Sequence, residues 1–243
     1  RELRVVGLMN IQFAVKDGVI FILEVNPRAS RTAPFVSKAT GVPLPALATQ
    51  LMLGRSLREL DPWSRRKGGY VSVKEAVFPF KRFPGVDILL GPEMRSTGEV
   101  MGIAGNFEEA FLKGQLASGQ KLPTEGKVFL SVNDRDKVFA PEVARQLADM
   151  GFELLATRGT ADLLRSHGLN VKTVLKMYEG RPNVVDMIKN GEVSLIINTA
   201  SGKRTANDSK AIREATLHYG VPYTTTMSGA RAIARAIHAA QNN

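Results

Sequence analysis

Cysteine is absent from the 243 residues, which excludes disulfides, thiolate metal sites and a thiol nucleophile. Nowhere do eighteen apolar residues run together, so no helical membrane span is expected. No basic segment followed by a short apolar run is visible, so no signal peptide is expected. The chain begins at Arg1 rather than Met, which suggests a fragment or a processed chain, and the cytoplasm is the expected compartment. Zinc-finger spacing, aromatic–basic alternation and a basic helix are also missing. That matters because basic residues are plentiful: 33 Lys and Arg against 23 Asp and Glu, a net charge of +10. The cations are scattered, with short clusters only at Arg65–Lys67 and Lys203–Arg204. The excess therefore reads as a protein handling phosphates and carboxylates, or a piece whose acidic complement lies elsewhere, rather than a nucleic-acid binder. The three histidines, His167, His218 and His238, fall on separate predicted helices without paired ligand spacing and read as ordinary helix residues. Trp63 and the phenylalanines read as packing residues.

What is there divides into three parts. Residues 1–60 hold two strands, "VVGLMNIQFAV" and "VIFILEV", flanking the turn signal "KDG", and a helix "PLPALATQLMLG" closed by Gly54. Residues 61–126 are mixed and end in a helix capped by Asn106, with Glu109 three residues on, and a polar linker, "SGQKLPTEG". From Lys127 to Asn243 five strands alternate with helices: "KVFLSV", "FELLAT", "VKTVLK", "LIINTA" and "PYTTT" are the strands. That alternation predicts right-handed crossovers and a doubly wound parallel sheet covered on both faces. The fold class expected is α/β: a partial α+β segment followed by a five-stranded parallel domain.

Two groups of polar residues stand out. In "GVIFILEVNPRASR", an apolar strand ends in Glu24, Asn26, Arg28 and Arg31. Glu24 and Asn26 are two apart, so they share a face. A two-residue Asp-Gly turn would pair Gln12 with Leu23 and turn Gln12 away. A three-residue loop, Lys16-Asp17-Gly18, with Gly18 at positive φ, pairs Gln12 with Ile22 and places Gln12, Ile22, Glu24 and Asn26 on one face. One acid with two amide oxygens is hard-oxygen chemistry, suited to Mg²⁺ or Mn²⁺ carrying nucleotide phosphates. Arg28 and Arg31 would then meet an anionic substrate.

The second group sits at the ends of the predicted parallel strands: Ser131 and Lys137 after the first, Thr157 and Thr160 around Gly159 after the second, Lys176 after the third, and Asn198, Thr199 and Ser201 after the fourth. Ligands of parallel α/β sheets bind outside the carboxyl ends of the strands. Helix N-termini favour phosphate there. Two lysines and two threonines at one edge predict a phosphate pocket. Gly202-Lys203 is not a Walker motif, since the upstream glycine is missing and Arg204 follows.

"LEVNPRASRTAPFVSKATGVPL" resembles the end of an ATP-grasp fold in the carbamoyl-phosphate synthase large subunit. "RTAPFVSK" is similar to the second of its two ATP-grasp units, which phosphorylates carbamate. The likeness continues through "SVKEAVFPFKRFPGVDILLGPEMRSTGEVMG" into a last domain that resembles the methylglyoxal-synthase-like regulatory domain. The resemblance implies Gln12, Glu24 and Asn26 as metal ligands, with Arg28 and Arg31 on the phosphate or carbamate. It implies Lys137, Thr157, Thr160 and Lys176 on an effector phosphate, and Ser131, Asn198 and Thr199 lining the nucleotide pocket. UMP and IMP are the effectors it implies, and Glu75 and Thr225 match positions of an ornithine site. Arg158 stands where bacterial-type members carry histidine, a fixed cation in place of a titrating one. ATP as substrate, a small glutaminase subunit, the remainder of the large subunit and a homo-oligomer of heterodimers complete the expectation.

A rival reading is a free-standing methylglyoxal-synthase-like enzyme that eliminates phosphate from a triose phosphate. It needs a carboxylate base at the phosphate pocket, and Asp208 falls inside the following helix instead. A third is a purely regulatory nucleotide-binding module.

Overall fold

The computed structural model describes residues 2–65, 68–80, 94–199 and 206–242, apart from the side chains at 63, 65 and 206–208. The Trp63 side chain, the side chains of the Arg65–Lys67 cluster, Ser201, Lys203–Arg204 and the Asp208 side chain lie outside the described residues.

The chain opens with an antiparallel hairpin, β1 (Asn10–Lys16) and β2 (Val19–Asn26). Lys16 pairs with Val19, so the turn is the two-residue Asp17-Gly18. Gly18 has positive φ as expected, but so does Asp17, at 78° and 51°. Positive φ at both central residues gives the strand ends the twist they need, and a carboxamide or carboxylate residue tolerates it well. The three-residue loop expected over residues 16–18 is therefore not formed. The hairpin exposes apolar side chains on both faces: Val15, Ile20 and Phe21 are 70%, 65% and 49% exposed. The apolar run in β2 predicted a buried strand, yet no element among the described residues covers it.

Two short helices follow, α1 (Thr32–Thr40) and α2 (Leu44–Met52), packed with Leu60 of α3 (Leu57–Leu60) around Val42 and Leu47. Periodicity indicated only α2, closed by Gly54 at φ 94°. The one-turn α3 starts with a Ser56–Glu59 capping box.

A second hairpin, β3 (Val71–Val77) and β4 (Gly98–Ala104), carries α4 (Phe107–Ala117) on one face. Asn106 caps α4 as predicted, its side chain accepting from the Glu109 amide at 2.9 Å. Gly102 explains how close the layers come. A Cβ there would sit 1.8 Å from the Ala110 carbonyl oxygen, a contact that no side chain can make.

The rest is a five-stranded, all-parallel sheet in the order β7-β6-β5-β8-β9. Its strands are β5 (Lys127–Ser131), β6 (Glu153–Ala156), β7 (Val171–Thr173), β8 (Leu195–Asn198) and β9 (Tyr223–Thr224). Alternation along the strands feeds two cores. Val128, Leu130, Leu154, Ala156, Leu195 and Ile197 face α5 (Ala140–Asp149), α6 (Arg158–Ser166) and α9 (Met227–Gln241). Phe129, Leu155 and Ile196 face α7 (Val184–Lys189) and α8 (Ala206–Tyr219). This is the predicted doubly wound sheet. The chain runs outward from β5 to β7 and then returns to β8, so the sheet's switch point lies between the carboxyl ends of β5 and β8. Helix α4 packs Phe111 and Leu112 against the first core, and Arg235 of α9 forms an ion pair with Glu108 of α4.

Candidate functional site

The first candidate site is at the open end of the β1–β2 hairpin. Phe13 pairs with Ile22, but the next pair is Gln12 with Glu24, because a bulge inserts Leu23. A bulge places two residues opposite one and shifts every later side chain by one face. It thereby undoes the effect of the two-residue turn. Gln12 and Glu24 lie directly opposite each other, and Asn10 opposite Asn26. The predicted trio Gln12, Glu24 and Asn26 is brought together. Ile22, expected on the same face, instead stands opposite Phe13 on the other one.

Around the trio the contacts are local. The Asn26 amide nitrogen donates to the Glu24 carboxylate. Arg28 donates to the Asn26 side-chain oxygen at 3.4 Å and to the Ala29 carbonyl at 3.1 Å. Asn10 donates to the Ser30 hydroxyl at 3.4 Å, which in turn accepts from the Thr32 amide at 3.2 Å where α1 begins. Arg31 enters α1 and reaches the Met94 sulfur at 3.0 Å. Gln12, Glu24 and Asn26 offer only hard oxygens, one of them charged, and so fit Mg²⁺ or Mn²⁺. With its carboxamide turned over, Asn26 presents its oxygen beside the Glu24 carboxylate.

The second candidate site lies along the carboxyl edge of the parallel sheet. Thr157 and Thr160, 6% and 2% exposed, stand at the start of α6. Thr157 donates to the Thr160 hydroxyl at 3.4 Å, and that hydroxyl accepts the Val132 amide at 3.2 Å. Thr160 thus ties the end of β5 to α6. The Lys137 ammonium lies 3.7 Å from the position a Cβ on Gly159 would occupy, so it sits over the first turn of α6. It pairs with Asp134 at 2.7 Å, and this hydrogen bond holds the Asp134 carboxyl below its ordinary range. Lys176 follows β7, its backbone amide held by Glu179 at 2.9 Å and its ammonium 5.9 Å from the Tyr178 ring centre. The four expected phosphate donors therefore lie on adjoining loops after β5, β6 and β7, with a helix N-terminus among them.

Ser131 and Asn198 are register partners across the switch point, and the Thr199 amide donates to the Ser131 carbonyl at 3.0 Å. Asn198 and Thr199, with Thr225, line a cavity of about 430 Å³. The other walls come from Asn133, Asp136, Phe139, Thr226, Ser228 and Arg231, which the sequence did not single out. Asn133 joins both sides, donating to the Thr199 carbonyl at 2.7 Å and to Asp136 at 2.8 Å. Its signal was present in "SVNDRDK", whose Asx-type residues fall just past a strand end. Arg231 gave none, since a helix arginine is usually solvated.

Of the expected ornithine pair, Thr225 lines the cavity at the switch point. Glu75, on β3, meets Gln115 of α4, and burial pushes its carboxyl pKa up. The cleft between this hairpin and the sheet domain is bordered by Ala76 and by Tyr223, with Phe78, Phe80 and Gln120. Among the described residues that line it there is no carboxylate. Among the described residues, no group of three or more His, Asp or Glu side chains could hold a metal ion, and no helix is long and apolar enough to cross a membrane.

Two family models match the chain: one described as carbamoyl-phosphate synthase L chain, ATP binding domain, over residues 1–60, and one described as MGS-like domain, over residues 140–225. The carbamoyl phosphate synthase large chain of Pasteurella multocida is 56% identical over 236 residues, 97% of this chain and 22% of that protein. That of Archaeoglobus fulgidus is 54% identical over 241 residues, 99% and 22%. The large chain, C-terminal section, of Aquifex aeolicus is 51% identical over 251 residues, 97% and 47%. The chain thus spans about a fifth of the length of the first two and about half of the third.

Proposed function

The chain belongs to the carbamoyl phosphate synthase large-chain family, and from that premise we propose that it supplies half of a carbamate-phosphorylating ATP site together with an effector-binding domain. The observation that carries the first part is the bulge at Leu23, which sets Gln12 and Glu24 opposite each other with Asn26 hydrogen-bonded beside them. In this reading Gln12, Glu24 and Asn26 would hold Mg²⁺ or Mn²⁺, which would supply positive charge to neutralise ATP phosphates. Arg28 and Arg31 hold the carbamate or the transferring phosphate by charge-assisted hydrogen bonds. The bare apolar faces of β1 and β2 belong against further strands of the same unit, supplied from the rest of the large chain. A small glutaminase subunit delivers ammonia, the complete assembly is a homo-oligomer of heterodimers, and the compartment is the cytoplasm.

The sheet domain holds a nucleoside monophosphate such as UMP or IMP. Its phosphate meets Lys137, Thr157, Thr160 and Lys176, and Ser131, Asn198 and Thr199 line the remainder. Ornithine is assigned to Glu75 and Thr225 by the resemblance alone, and in the structure Glu75 is engaged by Gln115. The phosphate-eliminating alternative needs a free carboxylate beside the phosphate donors, and Asp134, which lies there, is engaged by the Lys137 ammonium at 2.7 Å.

Two measurements test the proposal. In a full-length large chain, Glu24→Gln is expected to weaken Mn²⁺ binding, read by electron paramagnetic resonance, and to reduce carbamate-dependent ATP turnover while bicarbonate-dependent turnover persists. Unchanged Mn²⁺ binding removes the ligand assignment. Lys176→Ala is expected to weaken UMP and IMP alike, by roughly ten- to a hundredfold, with little effect on the bare nucleosides. Equal nucleotide affinity in both proteins removes the phosphate assignment.

A further inference from the structure

Arg28 and Arg31 stand on the short segment, residues 27–31, that joins β2 to α1. Both are exposed. A guanidinium can hold an anion in one place only if the backbone beneath it is itself held. The residue that holds this segment is Ser30, between the two arginines. Its hydroxyl oxygen accepts the Asn10 side-chain amide at 3.4 Å and the Thr32 backbone amide at 3.2 Å. Its carbonyl accepts the Ala33 amide at 3.1 Å. Ser30 thus ties the first residue of β1 to the first turn of α1.

The helix needs that tie. Arg31, at the N-cap position of α1, has helical dihedral angles, φ −59° and ψ −21°, and makes no side-chain cap. The first amides of a helix have no intrahelical acceptor, and Ser30 supplies an acceptor to two of them from one residue further out. A serine hydroxyl suits this local role. Asn10 then fixes the hydroxyl from the neighbouring strand, where it stands opposite Asn26. Asn10 and Ser30 are both half-buried, so their hydrogen bond is sheltered while the arginines reach outward.

We propose that Ser30 is a positioning residue for phosphoryl transfer: by fastening the β2–α1 segment to β1 it sets Arg28 and Arg31 on their anion. The inference rests on the reading of those arginines as the groups that hold the carbamate or the transferring phosphate. It adds that their placement depends on one hydroxyl oxygen that accepts two hydrogen bonds. Alanine removes that oxygen, and threonine keeps it.

The test runs the step in reverse in a full-length large chain, with ADP and carbamoyl phosphate as the probes. The bond from phosphorus to the carbamate oxygen breaks, one to the terminal ADP oxygen forms, and ATP and carbamate result. Ser30→Ala should lower kcat/KM for carbamoyl phosphate by about ten- to a hundredfold. The KM for ADP and the Mn²⁺ affinity, read by electron paramagnetic resonance, should stay at wild-type values, because the hydroxyl holds none of Gln12, Glu24 and Asn26. Ser30→Thr should restore most of the rate. A wild-type rate in Ser30→Ala, with the rate lost in Arg28→Met and Arg31→Met, overturns the inference while the reading of the arginines stands. An equal loss of Mn²⁺ affinity and ADP binding in Ser30→Ala also overturns it, since the role is then merely structural. So does a Ser30→Thr as impaired as Ser30→Ala. Wild-type rates in both Arg28→Met and Arg31→Met overturn the reading of the arginines, and this inference with it.

Discussion

β2 and β5 are both apolar strands, and their surroundings are opposite. In "VIFILEV" the side chains of Ile20, Ile22 and Leu23 are each 65% exposed, whereas Val128, Phe129 and Leu130 of β5 are fully buried. β5 has strands on both sides and helices on both faces. Among the described residues β2 has one neighbour, β1. A continuous apolar strand reports that its residues need cover on both faces. It does not say that the same stretch of chain provides it. The sheet domain contains its own cover, and among the described residues the hairpin has none.

That contrast can be tested by stability, from the largest expected effect to the smallest. Phe129→Ala removes a ring packed between α7, α8 and the sheet, and should cost about 3–5 kcal/mol, read as a lower urea midpoint. A loss under 1 kcal/mol would falsify the claim that this sheet carries the fold. Gly102→Ala tests the packing of α4 on β4. Its Cβ would overlap the Ala110 carbonyl, so α4 must shift, at about 1–3 kcal/mol. Removing the cap in Asn183→Ala leaves the Val185 and Asp186 amides without their acceptor, and should cost about 0.5–2 kcal/mol.

Glu75→Gln probes the middle segment through pH. Burial raises the Glu75 pKa above its ordinary 4.5, so the native state binds the proton more tightly than the unfolded state. Stability from this group is therefore greatest below that ordinary value and falls as pH rises through the raised one. The variant should lose this fall and melt at an equal or higher temperature at pH 7. A variant that melts lower at pH 7 than at pH 4.5 by the same margin as wild type would show that Glu75 is not its source. Least of all, Ile20→Ser on the bare hairpin should change stability by no more than about 0.5 kcal/mol. A loss of several kcal/mol there would mean that β2 is covered in solution, most simply by a second copy of the chain.

Much of the sheet domain is legible in the sequence. Its strands alternate between two cores, its helices begin with caps such as Asn183, and Gly151, Gly168 and Gly191 close helices at positive φ. These are local signals, each within a few residues. α1 is hidden in the sequence because Pro34 and four β-branched or hydroxyl residues obscure its period, and the β3–β4 hairpin because its strands are separated by a long connection. At the hairpin the expected juxtaposition of Gln12 and Glu24 is formed, but not by the expected loop and not with Ile22 on the same face. Gln12 does face Glu24, but through a two-residue turn and a bulge at Leu23 rather than a longer loop. A bulge leaves almost no trace in composition, since it depends on how two strands settle against each other.

The sequence by itself determined the two-sided alternation of the parallel sheet, the helix caps, and which residue types stand at the strand ends, because these follow from backbone periodicity and local hydrogen bonding. Only the tertiary structure decided that Asn133 bridges β5 to Thr199, 66 residues away, and that Arg231 on the last helix lies over Phe139 and faces the switch point. Those contacts join segments distant in the chain, and their energies come from packing and from the burial of polar groups, which no local pattern encodes.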